Sequence, residues 1–157
     1  MKVKQDSPGV YIPPPLLYVL IFIAAVFLQK KFNIDDAMLH TKPAGLAGVL
    51  LFIAALFFLA SSLTTFFKTK NTVVLIKAAT SLQTTGIYGI SRNPMYVGLL
   101  FVYLGLVCFI GNWWHLILVP LLIFIIQAYV IKREEKYLER AFGNQFLAYK
   151  KRVRRWL

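Results

Sequence analysis

Long apolar runs separated by short polar and basic stretches divide the chain, and their lengths predict helices that cross a bilayer. The run from Val10 to Leu28 is interrupted near its start by Pro13-Pro14-Pro15. Proline lacks the amide that a helix interior needs but fits the first turn. A first membrane helix is therefore expected over 14–32, with Lys30 and Lys31 snorkelling at its end. Asn33 to Pro43 forms a polar connection, and the unbroken apolar stretch after it predicts a second span over 44–67. Gly45, Ala47, Gly48, Ala54, Ala55, Ala60, Ser61 and Ser62 give that helix small surfaces on which a neighbour can pack closely. A polar loop follows, carrying Lys68, Lys70 and Lys77. Pro94 opens a third helix over 94–110, the turn dipeptide Gly111-Asn112 ends it, and a fourth is expected over 113–131. So short a link makes an antiparallel hairpin of the two. Trp113 and Trp114 stand at its tip, where an interfacial aromatic belt places them, and His115 beside them reads as an interface residue. Beyond Lys132 the pattern turns basic and amphipathic. The fold class that follows is all-α: a polytopic membrane protein of about four transmembrane helices with a C-terminal cytoplasmic amphipathic helix, forming one domain over 1–157.

Composition agrees with a bilayer rather than water as solvent, since 59% of the 157 residues are hydrophobic. The excess of 18 Lys+Arg over 6 Asp+Glu flanks apolar runs instead of interleaving with aromatics on a polar scaffold, so nucleic acid is not the expected partner. Anionic headgroups are. Nine basic residues fall between Lys132 and Arg155, and none lies at the tip of the hairpin. By the positive-inside rule the C-terminus and the loop carrying Arg92 share the cytoplasmic side, and four spans return the N-terminus, with Lys2 and Lys4, to the same side. Cys108, the single cysteine, lies in an apolar run and is expected to pack. His40 has no ligand-spaced companion.

The stretch Thr84 to Gly98 is the one segment that hydrophobicity does not explain. Pro94 biases Asn93 away from the α region, so the helix is expected to begin at Pro94 with Asn93 as its cap. Arg92 then stands beside the positive end of that helix, an arrangement suited to an anion or carboxylate. A plain capped helix start, with Arg92 on a lipid phosphate, is the simpler reading of the same residues. In the tail, Glu134 follows Val130 and Ile131 at helical spacing and precedes Tyr137 and Leu138. A carboxylate among apolar neighbours at the membrane boundary needs a partner. Arg92 is the expected one, as a structural ion pair or as the other wall of a pocket. Glu135, with Lys132 three residues before it and Glu139 four after it, reads as part of a solvated face.

Two blocks of residues resemble the integral-membrane methyltransferases typified by isoprenylcysteine carboxyl methyltransferase and the related phospholipid N-methyltransferases. Gly86-Ile87-Tyr88 followed by Ser91-Arg92-Asn93-Pro94-Met95-Tyr96-Val97-Gly98 is similar to that family's G-x-Y…R-[HN]-P-x-Y-x-G. Glu134-Glu135, Leu138, Phe142-Gly143, Phe146, Tyr149 and Arg152-Val153 are similar to its ending. Their order, and the tight helical hairpin between them, make the match specific over roughly 72–156. The resemblance implies S-adenosylmethionine as methyl donor and a lipophilic acceptor that arrives from the lipid. It implies cofactor regions at 86–98 and 132–155, with Tyr88, Arg92, Asn93, Pro94, Tyr96 and Gly98 lining the pocket. It also implies that Glu135 holds the ribose or amino group, and that Glu134, with Arg92, serves the reacting centre. Three positions depart from the pattern: Asn93 where histidine is common, Gly89 where many relatives carry arginine, and Phe146 in place of a tyrosine. A membrane reductase using NADPH and a non-enzymatic scaffold that binds anionic lipid through its tail are the rival readings.

Overall fold

A computed structural model describes residues 7–68 and 81–157, and among these every regular element is helical. Helix α1 spans Pro14–Lys31, α2 Lys42–Lys68 and α3 Pro94–Ile110. From Trp113 the chain forms one rod: α4 (Trp113–Ile117), α5 (Val119–Ile125), a π-helical turn (Ile126–Ile131) and α6 (Lys132–Phe142). Helix α7 (Asn144–Arg152) completes the tail. The expected boundaries hold within two residues for the first three helices, because proline and lysine punctuate them. The fourth does not stop at Ile131 but continues for a further 11 residues as α6. Gly143, at φ 49°, then breaks the helix in a conformation that favours glycine. Lys2 and Lys4, and Lys70 and Lys77 of the polar loop, lie outside the described residues.

By length and composition α1, α2 and the rod Trp113–Phe142 can each cross a bilayer. Helix α3 has 17 residues, at the lower limit of about 17–25 for a span. It lies antiparallel along α2, as three glycines make plain. A Cβ added at Gly48 would stand 2.6 Å from the Phe109 ring and 2.9 Å from Cys108 Cβ, and one at Gly98 would stand 2.7 Å from Leu59 Cγ; at Gly105 it would meet Phe52 at 3.1 Å. Of the small residues expected to allow close packing, Gly48, Ala55 and Ser62 are buried on the packed side of α2, whereas Ala47 and Ala60 are exposed; Cys108 takes the packing place expected of it.

Helix α1 covers the other side of α3. Tyr18 donates to the Tyr96 carbonyl at 3.0 Å, Phe22 meets Tyr103 edge-on at 5.8 Å, and Trp114 Nε1 donates to the Phe32 carbonyl at 2.8 Å. Helices α1 and α3 thus run one way, α2 and the rod the other. One end of the bundle collects the starts of α1 and α3, the end of α2 and the charged part of the rod; the other holds the hairpin tip. Tyr18, Tyr96, Tyr103, Val107, Leu122, Ile126, Val130 and Ile131 form the buried core. On the outer face of α2, Leu46, Leu50, Ile53, Leu56 and Phe57 are each more than half exposed. Such a surface is untenable in water and ordinary against acyl chains, and the protein is an integral membrane protein.

At the tip, Gly111 is forced by contact, since a Cβ there would stand 2.5 Å from Val107 Cα. Asn112 caps the next helix: its side chain accepts from the Trp114 amide at 3.0 Å while His115 Nδ1 accepts from the Asn112 amide at 3.1 Å. His115 is fully buried. It is therefore a capping residue, not the interface residue that its tryptophan neighbours suggested.

Candidate active site at a carboxylate pair

The segment before α3 is locked to the C-terminus. The Arg92 amide donates to the Arg154 carbonyl at 2.9 Å, and Asn93 Nδ2 donates to the Arg155 carbonyl at 2.8 Å. Ser91, fully buried, accepts from the Asn93 amide at 3.1 Å and reaches the Arg155 carbonyl at 3.4 Å. Asn93 occupies the N-cap position, but its side chain makes no capping bond; it is spent on the tail. The amide groups expected to remain open at this helix start are largely accounted for as well. That of Asn93 goes to Ser91, Pro94 has none, and that of Tyr96 bonds the Asn93 carbonyl at 3.0 Å. The positive character of the site therefore rests on Arg92 more than on the helix end.

Before it, Gly86 at φ 62° starts a single 3-10 turn, Gly86–Gly89, that turns Tyr88 inward. The Tyr88 ring meets Phe66 edge-on at 5.9 Å, its hydroxyl lies beside Ser62 of α2, and its carbonyl accepts from Tyr149 at 2.6 Å. Burial pushes the Tyr149 hydroxyl up to about 12, against the pull of Arg92 and Arg152, so it stays a proton donor. Tyr96 donates to Glu134 Oε1 at 2.7 Å. Pro94 is buried at the first turn, and Gly98 stands against Leu59, where the geometry gives it a packing role.

The two carboxylates have opposite surroundings. Glu135 is 8% exposed. Arg155 grips it with two bonds, Nε to Oε1 at 3.0 Å and Nη2 to Oε2 at 2.7 Å, and Arg92 Nη1 stands 2.8 Å from Oε1. The bond to Glu135 raises the Arg155 guanidinium above its ordinary value. The expected pairing of Arg92 with Glu134 and the solvated placing of Glu135 are both corrected. Among the described residues Glu134 has no cation at ion-pair distance, and Tyr96 is its partner. The reason is the register of the rod. Leu122, Ile126, Val130 and Ile131 are fully buried, and Glu134 and Glu135 follow the last two by four residues each, so both carboxylates continue the buried face.

Arg92 is not satisfied by this arrangement. Its side chain is only 10% exposed, yet Nε and Nη1 lack a hydrogen-bond acceptor in good alignment. Buried donors of that kind are rare and ask for a ligand or another explanation. Beside Tyr149, a shallow groove of about 310 Å³ opens between Leu82, Thr84, Gln145, Ala148 and Arg152.

Of the residues that the sequence pattern singles out, Tyr88, Arg92, Asn93, Tyr96, Glu134 and Glu135 do meet in one region. Arg155, Ser62 and Tyr18 belong to it too and were missed. Arg155 is hidden in a basic run, where nothing distinguishes it from its neighbours. A buried carboxylate that needs cations is the only signal that could have singled it out. Tyr149 is visible as a motif position, but its bond to the Tyr88 carbonyl is not.

The family model for phospholipid methyltransferases matches residues 44–145, which includes Arg92 and both carboxylates. A Haemophilus influenzae protein described as uncharacterized is 41% identical over 63 residues, 40% of this chain and the whole of that protein. The protein-S-isoprenylcysteine O-methyltransferase of Schizosaccharomyces pombe is 36% identical over 72 residues, 46% of this chain and 30% of that protein's length. No solved structure matches the chain. With the match running from the start of α2 into α7, and with the buried carboxylate pair inside it, the chain belongs to the phospholipid methyltransferase family.

Proposed function

We propose that the protein transfers a methyl group from S-adenosylmethionine to a lipophilic acceptor, an isoprenylcysteine-like carboxylate, a thiol or a lipid amine, at the cytoplasmic membrane face. The observation that carries this reading is the division of labour between the carboxylates: Glu135 is gripped by two arginines, while Glu134 meets no cation among the described residues and is held by the Tyr96 hydroxyl. Family membership and the partial match to a protein-S-isoprenylcysteine O-methyltransferase support it.

The residues fit the cofactor's two charged ends. The buried, unaligned Nε–H and Nη1–H groups of Arg92 suit a carboxylate. Glu134, with the faces of Tyr88 and Tyr96, suits a sulfonium. S-adenosylmethionine supplies an electrophilic methyl group with its own leaving group. What remains for the chain is to bind, orient and exclude water. Glu135 fixes the planes of Arg92 and Arg155, and Tyr96 fixes one oxygen of Glu134. Tyr88, held by Tyr149 through its carbonyl and packed on Phe66 of α2, walls the space toward that helix. For an amine acceptor, Glu134 is also the group in place to take up a proton. The basic tail, Lys132 to Arg155, and the charge-free tip favour placing this end and both termini in the cytoplasm.

Calorimetry of the purified protein with S-adenosylhomocysteine tests the cofactor half, and binding is expected. Glu134→Gln is expected to abolish transfer of label from S-adenosylmethionine to a membrane lipid extract. Absence of binding by both cofactor forms would rule the reading out.

A further inference from the structure

Gln127 is a polar side chain in the middle of an otherwise apolar stretch of the rod, and such residues are costly in a membrane unless they do something. It lies in the π turn Ile126–Ile131. Turns of this kind have poorer hydrogen-bond geometry than an α-helix and persist where something holds them, often near functional sites. Three ties hold this one. Gln127 Oε1 accepts from Trp156 Nε1 at 3.2 Å, Tyr129 Oη accepts from the Ile12 amide at 3.2 Å, and Arg133 Nη1, whose guanidinium lies over the Tyr129 ring at 4.6 Å, donates to the Gly9 carbonyl at 2.9 Å.

The turn sets where the carboxylates point. Leu122 and Ile126 lie on the buried side, and both Val130, at a step of four, and Ile131, at a step of five, join them there, with Glu134 and Glu135 four residues after each. The step of five is the π turn. Were it to relax to α geometry, everything after it would rotate by about 100°, and Glu135 would leave Arg92 and Arg155. Trp156 is the residue after Arg155, so the same bond that braces the turn also delivers the tail whose guanidinium grips Glu135.

We propose that Gln127 is a positioning residue: through Trp156 it locks the π turn and the C-terminal tail together, and so fixes the register in which Glu134 and Glu135 are presented. This deepens the methyl-transfer reading and rests on it for its binding readout. Trp156, Ile12 and Gly9 all lie outside the region the family model matches.

The test uses the full chain in lipid nanodiscs with Gln127→Leu, which keeps the volume and removes the acceptor, Trp156→Phe, which keeps an aromatic ring and removes the donor, and the double variant. Each single change is expected to weaken S-adenosylhomocysteine binding about tenfold and to speed tryptic cleavage of the tail at Arg154 by a similar factor. The double variant is expected to be no worse than either single, because all three lack one and the same bond. Wild-type binding and cleavage in both single variants would overturn the lock, as would additive losses in the double. Should the wild-type protein bind neither S-adenosylhomocysteine nor S-adenosylmethionine, the enzyme reading falls, and the cleavage rates alone still decide whether Gln127 and Trp156 hold the tail.

Discussion

At the hairpin tip, the Asn112 side chain takes the Trp114 amide, His115 takes the Asn112 amide, and Tyr103 donates to the His115 carbonyl at 3.0 Å. A fully buried histidine is consumed there in ending one helix and starting the next. At the opposite end, Glu135 gathers two arginines, yet Arg92 still carries buried N–H groups without an aligned acceptor, and Glu134 faces no cation among the described residues. Apart from His115 Nε2, which is buried without an aligned acceptor and faces the Phe22 backbone, the tip's polar groups answer needs of the backbone. Those at the carboxylate end exceed such needs, and the surplus is what a charged ligand would meet.

The hardest test of this contrast is removal of Glu135. Glu135→Leu leaves two guanidinium groups facing each other at a buried position, and breaking such a pair costs about 3–5 kcal/mol. Denaturant unfolding in micelles is expected to show a loss at the lower end of that range, because Arg155 is 28% exposed. A loss below about 1 kcal/mol would mean that the pair does not organise this end. Arg155→Gln comes next in size. It removes a two-pronged, charge-assisted grip while Arg92 remains, and about 1.5 kcal/mol is expected, together with weaker S-adenosylhomocysteine binding. At the tip, Asn112→Ala deletes a cap, for about 1 kcal/mol, and cofactor binding is expected to stay at the wild-type level. If it fell as in Arg155→Gln, the two ends would be coupled and the contrast would fail.

Much of this contrast is legible in the amino-acid sequence. Apolar runs ended by proline, glycine or paired lysines place the first three helices to within two residues, because those residues have strong local rules. Which face of the rod is buried is far less legible. A five-residue step between Ile126 and Ile131 has no sequence signature, and without it Glu135 falls between Lys132 and Glu139 on an apparently solvated stripe. Asn93 misleads for a related reason. Its place at the cap is local, whereas the destination of its side chain, the Arg155 carbonyl 62 residues away, is tertiary. The same holds for His115, whose aromatic neighbours hint at an interface and whose capping bond buries it.

The smallest stability effect is also the most discriminating, because one chemical change can be made at both ends. Tyr103→Phe and Tyr96→Phe each delete a single hydroxyl from a buried ring of α3. Tyr103 loses a neutral bond to the His115 carbonyl, whose second lone pair limits the penalty, and about 1 kcal/mol of stability is expected to go with no change in methyl transfer. Tyr96 loses its bond to Glu134, and there the sign of the stability change is secondary. Without that donor one oxygen of Glu134 is free to turn, so transfer is expected to fall at least tenfold while the unfolding midpoint moves no more than in Tyr103→Phe. Equal activity in the two variants would show that the Tyr96 hydroxyl, like that of Tyr103, serves only the fold, and would leave Glu134 without the orientation its proposed role requires.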